Sequence, residues 1–315
     1  CSTTITLSSA ASLLTRSRDV PANYQDYICD RFGKKLYEIF FGPYAEKVWG
    51  RDPAQLEAEA AIVRLKGDNI WQSLLDTVRR KGTTYVSQFL YPTGGIGRIA
   101  EELARGLHSD ELLLDTGESR PILEDDRCVG INSQTLGFLE SDAVLSTIPL
   151  PVLVRNLFPA DSAACQASTE LRFRALVLLF LLYDVELPIK DTWLYFPEPE
   201  TPFTRIYIPE NFHRDSVPRG KSVMCLEFPC EFKDSTFMAE ESVLRSEAER
   251  HLRSIRLIDR SAIQALAVRL AEGYPIYSLG YRDHLSVVHN ALKKIPNLIT
   301  AGRQGLFRHN NLDQA

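Results

Sequence analysis

The chain closes on Ala301-Gly302-Arg303-Gln304-Gly305-Leu306-Phe307-Arg308-His309-Asn310-Asn311-Leu312-Asp313, residue types that suit contact with a phosphate-bearing group. The hydrophobic run from Asn297 to Ala301 predicts a buried strand, and a glycine directly after it, Gly302, lets the backbone approach a bound molecule closely. The guanidinium of Arg303 offers directed donors to a diphosphate. Asn311, Leu312 and Asp313 then predict the start of a helix whose free amides favour negative charge. With no bound group, the same residues make an ordinary exposed loop.

A second glycine-rich turn, Gly95-Ile96-Gly97-Arg98-Ile99-Ala100, fits the G-x-G-x-x-A pattern of a dinucleotide fingerprint, with Asp115 and Glu118 near the spacing of a ribose-binding acid. A helix N-terminus there would favour an anion. Pro92, Thr93 and Gly94 intervene between strand and turn, however, and a meander follows instead of a βαβ repeat, so a glycine-started helix in tight packing is the plain alternative. Arg205 and Arg269 fall on strand-like segments, where an unpaired guanidinium is costly to bury. Each therefore salt-bridges within the core or faces a cavity as an anion binder. Tyr207, Tyr274, Tyr277 and Trp49 could line an aromatic cavity or simply pack. His309, His284 and His289 join no nucleophile, triad or metal-ligand set.

Composition narrows the classes further. A formal net charge of -5 over 315 residues supplies no basic field for a nucleic-acid backbone. Small-molecule chemistry leads. The six cysteines show no CxxC pair and no zinc spacing, which suits packed thiols and a reduced, cytoplasmic setting. The hydrophobic stretches Leu176 to Tyr183 and Ala143 to Leu157 fall short of the roughly 20 residues a spanning helix needs, so no integral membrane segment is expected. Oligomeric state is not readable.

The elements that would position these residues come next. Apolar spacing predicts helices over 24–41, stopped by Gly42-Pro43, then from Pro53 to Gly67, over 69–80 and over 96–107. Strands are expected at 83–91, 111–114, 121–124, 128–132, 135–139 and 143–146, a small meander feeding one buried strand. Longer strands at 171–185, 192–196, 204–209, 222–229 and 262–270 suggest a larger antiparallel sheet, with helices over 238–255 and 281–293.

Several segments, in order, resemble one family of flavoproteins, that of the amine oxidases and protoporphyrinogen oxidase, with the related phytoene desaturases and UDP-galactopyranose mutases. They are Arg31 to Gly50, Phe89 to Gly97, Asp142 to Leu150, Arg269 with Gly273 to Tyr277 and Gly280-Tyr281, and Gly302 to Asp313. The resemblance implies FAD as cofactor and a mixed α/β (α+β) fold. It combines part of a Rossmann-like FAD-binding domain with a substrate domain of antiparallel sheet and helices. Residues 1–20 would be a polar tail, 21–82 and 158–293 the substrate domain, and 83–157 with 294–315 the FAD domain.

By the same resemblance, Gly94 and Gly95 start a helix beside the flavin, and Thr147 and Pro149 turn alongside the adenosine half. Gly302, Arg303, Asn311, Leu312 and Asp313 meet the ribityl chain, the diphosphate and the flavin's pyrimidine edge. Arg205, Arg269, Tyr274 and Tyr277 would serve a small-molecule substrate. Near Glu118 and Ser119 the sequence departs from the adenine-gripping valine of relatives. The family's true dinucleotide fingerprint lies upstream of anything in this sequence, which reads as a fragment. The implied activity is FAD-dependent oxidation of a C–N or C–C bond. A UDP-galactopyranose mutase-like isomerase and a cofactor-free remnant or binding protein are the alternatives.

Overall fold

A computed structural model describes residues 21–63, 90–108 and 110–312. The helix expected over 69–80, most of the strand expected over 83–91, and Asp313 lie outside the described residues. Asn23 caps α1 (Tyr24–Phe32), its side chain accepting from the Asp26 amide at 2.9 Å. Gly33 ends α1, and a π-helical turn over Tyr37–Phe41 leads into α2 (Gly42–Trp49). Gly42-Pro43 therefore opens a helix where the sequence pattern marked a stop. The reason is that proline's missing N–H and fixed φ are tolerated in a first turn. From Pro53 only a 3-10 turn and the short helix Glu59–Ile62 form among the described residues.

Further along come α3 (Arg98–Arg105), the strands β1 (Ser119–Glu124), β2 (Arg127–Ser133), β3 (Gly137–Glu140) and β4 (Val144–Ser146), then α4 (Leu150–Leu157) and α5 (Ala163–Ser168). Strands β5 (Phe173–Tyr183), β6 (Trp193–Tyr195), β7 (Arg205–Tyr207) and β8 (Ser222–Cys230) follow. The chain ends with α6 (Glu241–Ser254), β9 (Gln264–Pro275), α7 (Tyr281–Leu292) and β10 (Leu298–Thr300). No strand forms over 111–114; Leu112, Leu113 and Leu114 stay 45–73% exposed, because an apolar run without a partner strand has no ladder to join. The apolar stretch from Ala143 to Leu157 divides at Thr147 to Pro149 into strand and helix.

The chain divides into two compact units, one made of Cys1–Glu101 with Arg174–Ala271, the other of Glu102–Phe173 with Glu272–Ala315. In the first, five strands run in the order β6-β7-β8-β5-β9, with β6, β7, β8 and β5 antiparallel to their neighbours. Period-two alternation sends Val177, Leu179, Leu181 and Tyr183 of β5, and Met224, Leu226 and Phe228 of β8, to one face. There they meet Leu244, Ala248 and Leu252, one stripe of α6 at helical spacing. The second face carries Leu178, Phe180, Tyr195, Arg205, Tyr207 and Glu227.

The second unit holds the antiparallel meander β1-β2-β3, with a bulge between Ile122 and Leu123, and a parallel pair, β10 beside β4. Asn297 pins these together: its Oδ1 accepts from the Cys128 amide at 2.9 Å and its Nδ2 donates to the carbonyls of Cys128 and Asp142, both at 2.7 Å. Leu298 pairs with Val144, Ile299 with Leu145 and Thr300 with Ser146. This mixed α/β arrangement is the fold class expected from the sequence.

Candidate functional site

Parallel strands leave their side-by-side ends pointing the same way, and in open α/β sheets ligands gather outside those carboxyl ends. Here β4 and β10 finish together, and the Ala301 amide extends the ladder by donating to the Ser146 carbonyl at 2.9 Å. The two chains then separate. From β4, Thr147 and Ile148 lead to Pro149, which stands at the N-cap of α4, where Leu150, Leu153 and Val154 are buried. From β10, Gly302 takes φ 74°, the left-handed region that glycine enters without strain, and opens a helical turn over Gly302–Gly305.

Two glycines do different work in that turn. A Cβ on Gly302 would have room, its nearest neighbours being Thr147 side-chain atoms at 3.9 Å, so backbone conformation alone demands glycine there. Gly305 is the reverse case. A Cβ would stand 2.9 Å from the Ser146 carbonyl oxygen and 3.3 Å from Thr147 Cα, so the turn lies directly against the end of β4. Gly302 is legible from the sequence and Gly305 is not, because close approach of two backbones leaves no local signature.

Arg303 points back into its own loop. Its Nη2 donates to the Asn310 carbonyl, its Nη1 stands 3.5 Å from the Gly273 carbonyl, and the guanidinium lies 5.8 Å from the centre of the Tyr274 ring. The Tyr274 ring also sits 5.7 Å from that of His309. Tyr277 is buried, stacks on Tyr281 at 4.5 Å, and its hydroxyl accepts from the His309 amide at 2.8 Å. Together Arg303, Tyr274 and Tyr277 shape residues 305–310 and so set where Asn311 and Leu312 emerge, both exposed. Asn310 itself is buried.

Of the other candidates, all but His284 and His289 lie in the first unit. Gly94 and Gly95 have φ of 89° and 99° in a turn closed by the Gly95 amide donating to the Pro92 carbonyl at 3.0 Å, ahead of α3. Arg205 donates from Nε and Nη2 to Glu227 Oε1 at 3.0 and 2.5 Å, and its guanidinium also lies 6.0 Å from the Tyr195 ring. Beside it, burial raises the Tyr207 phenol, and burial pushes the Cys225 thiol, to which it is hydrogen-bonded, up to about 12. Arg269 shares the α6-covered side with Ala265, Ala267 and Ala271, donating to the carbonyls of Phe237 at 2.7 Å and Ala239. Trp49 is buried in packing. His284 and His289 lie on α7; burial lowers His289. Among the described residues no group of His, Cys, Asp and Glu could hold a metal ion, and no helix is long and apolar enough to cross a membrane.

Residues 26–276 match the family described as flavin containing amine oxidoreductase; the match ends before the Gly302 turn. Among solved structures, a reduced UDP-galactopyranose mutase is similar with a TM-score of 0.79 at 19% identity, covering 97% of this chain and 66% of that one. A protoporphyrinogen oxidase-like protein from Exiguobacterium sp. 255-15 gives 0.72 at 21%, covering 97% and 69%. An oxidoreductase from Methanosarcina mazei gives 0.57 at 12%, covering 97% and 68%. The chain thus spans about two thirds of these structures' length. No curated protein sequence matches it.

Proposed function

The chain belongs to the flavin containing amine oxidoreductase family, and from that premise we propose that it forms the greater part of an enzyme that binds FAD and oxidises a C–N or C–C bond of a small organic substrate. The observation that carries the reading is the cradle at the joint end of β4 and β10, where a Cβ on Gly302 would meet only Thr147 side-chain atoms, at 3.9 Å. That cradle fits a flat, phosphate-bearing group. Gly302, Thr147 and Pro149 would lie along it, and Asn311 and Leu312 would present backbone amides to its polar edge. Arg303 would act by holding the 305–310 loop and by adding positive charge near a diphosphate. Gly94, Gly95 and Asp313 remain proposed flavin-side contacts. The chemistry such a cofactor supplies is two-electron acceptance, a hydride passing from substrate to N5.

For the substrate, the second face of the five-stranded sheet is the better surface. Arg205 is oriented there by the buried Glu227 carboxylate, with Tyr195 and Tyr207 beside it, an arrangement that suits a planar molecule carrying negative charge. Arg269 is engaged by two backbone carbonyls, and Tyr277 by packing and His309, so both serve the scaffold in this reading.

The likeness to a UDP-galactopyranose mutase favours a second reading, a sugar isomerase using reduced flavin. Spectra of the full-length protein separate the two. Bleaching of the oxidised flavin by an amine or a polycyclic donor supports oxidation, whereas turnover of a nucleotide sugar only after dithionite supports isomerisation. Protein that carries no flavin under either condition sinks both.

A further inference from the structure

Helix α2 buries Ala45, Val48 and Trp49 and turns Lys47 toward the loop that joins β6 to β7. Its ammonium donates to the carbonyls of Phe196 at 2.8 Å, Glu198 at 2.9 Å and Phe203 at 3.0 Å, using all three of its protons. The loop needs such an outside donor. Pro197, Pro199 and Pro202 remove three amides from it, leaving carbonyls with few N–H partners of their own. One turn earlier on α2, the Tyr44 ring meets the Tyr195 ring edge-on at 5.7 Å.

The carbonyls that Lys47 holds bracket the hairpin. Phe196 follows Tyr195 directly, and Phe203 stands two residues before Arg205. Helix α6 also reaches the loop, through Thr201 Oγ1 and His251 Nε2 at 3.0 Å and the Phe203 ring against His251. We propose that Lys47 is a positioning residue for substrate recognition, its ammonium fixing both ends of the β6–β7 loop so that Tyr195 and Arg205 keep their places on the second face of the sheet. This rests on that face receiving the substrate. A point charge with three diverging donors matches three converging carbonyls, whereas the planar fork of an arginine does not.

The test uses the full chain labelled with 5-fluorotryptophan, which gives three fluorine signals, for Trp49, Trp71 and Trp193. Trp193 on β6 reports the hairpin, and Trp49 reports folding of α2. Benzoate, the simplest planar anion, is the binding probe. In Lys47→Met the Trp193 line broadens while Trp49 stays a single sharp line, and benzoate affinity falls by about tenfold, as expected for a misplaced recognition group. Treating Lys47→Cys with bromoethylamine rebuilds an ammonium at nearly lysine's length and restores both readouts to within about twofold of wild type; wild type treated in parallel corrects for other thiols. Lys47→Gln, which keeps a donor without the charge, falls between. An unchanged Trp193 line and affinity in Lys47→Met, or failure of the rebuilt ammonium to rescue a folded variant, overturns the role of Lys47. Wild-type protein that ignores benzoate overturns the substrate-face reading instead.

Discussion

Adding one methyl group at Gly305 should damage this protein, and for a reason separable from glycine's conformational freedom. Gly305 sits in the helical turn after β10, where alanine is normally welcome. The added carbon would stand 2.9 Å from the Ser146 carbonyl oxygen and 3.3 Å from Thr147 Cα, both backbone atoms of the strand end that β10 pairs with. Neither can swing aside like a side chain, so the turn and β4 must part by a few tenths of an ångström. Overpacking of this kind costs about 1–3 kcal/mol, a fall of roughly 2–12 °C in the unfolding midpoint of its unit. Gly302→Ala costs a similar amount, about 1–2 kcal/mol, through its left-handed backbone alone. The two sites part on a second substitution. Asparagine at 302 recovers part of the loss, since it tolerates that region, while asparagine at 305 is worse than alanine. Thermal unfolding of the four variants, with flavin retention read on the flavin-loaded protein, decides it. A Gly305→Ala protein that melts and holds flavin like wild type refutes the close-approach argument.

Other consequences can be measured on the same material. Removing the Asn297 amide in Asn297→Ala leaves the Cys128 and Asp142 carbonyls and the Cys128 amide without their partner, a loss of about 2–4 kcal/mol seen as a lower urea midpoint. Arg269→Met, which frees the carbonyls of Phe237 and Ala239, lowers the melting temperature but leaves substrate KM unchanged. Burial lowers Lys47 from 10.5 to about 8 in the folded protein, so between those values the unfolded chain keeps a proton that the folded one has shed. Stability therefore rises with pH across that window in wild type relative to Lys47→Met; urea midpoints at pH 7 and 9.5 that differ equally in both proteins refute this. Leu145 and Ile299, paired across β4 and β10 and 63% and 55% exposed, make an apolar patch. Leu145→Ser with Ile299→Ser removes that patch, seen as weaker binding of a hydrophobic dye, and barely moves the melting temperature.

Where a signal is local, the sequence carried it. The continuous apolar run within 171–185 marked β5, and the hydrophobic run before Gly302 marked β10, because a buried strand bounded by turn residues writes its burial into residue order. The short α4 and α5 went unmarked: Pro151 falls in the first turn of α4, and the six residues of α5, five of them small, make too brief a pattern. The Lys47 and Asn297 anchors were beyond reach, since each joins segments more than 140 residues apart through backbone carbonyls, which every residue has.

Strand β9 shows how periodicity can even mislead. Its large apolar residues Leu266, Val268 and Leu270 alternate with Ala265, Ala267, Arg269 and Ala271, and the usual inference puts the large set inside. The alanines face the core instead, and Leu266, Val268 and Leu270 are 57%, 36% and 41% exposed. Edge position supplies the reason. At the margin of the sheet the α6 side is already filled by Leu244, Ala248 and Leu252, so only small side chains fit there, and the gap they leave lets Arg269 reach the Phe237 and Ala239 carbonyls. An arginine that alternation would assign to the open, ligand-facing side is thereby committed to the scaffold. Arg205, two strands beyond β5 on the other side of the sheet order, has the opposite fate, because Ile206 takes the core position and turns its neighbour toward Glu227 and the second face.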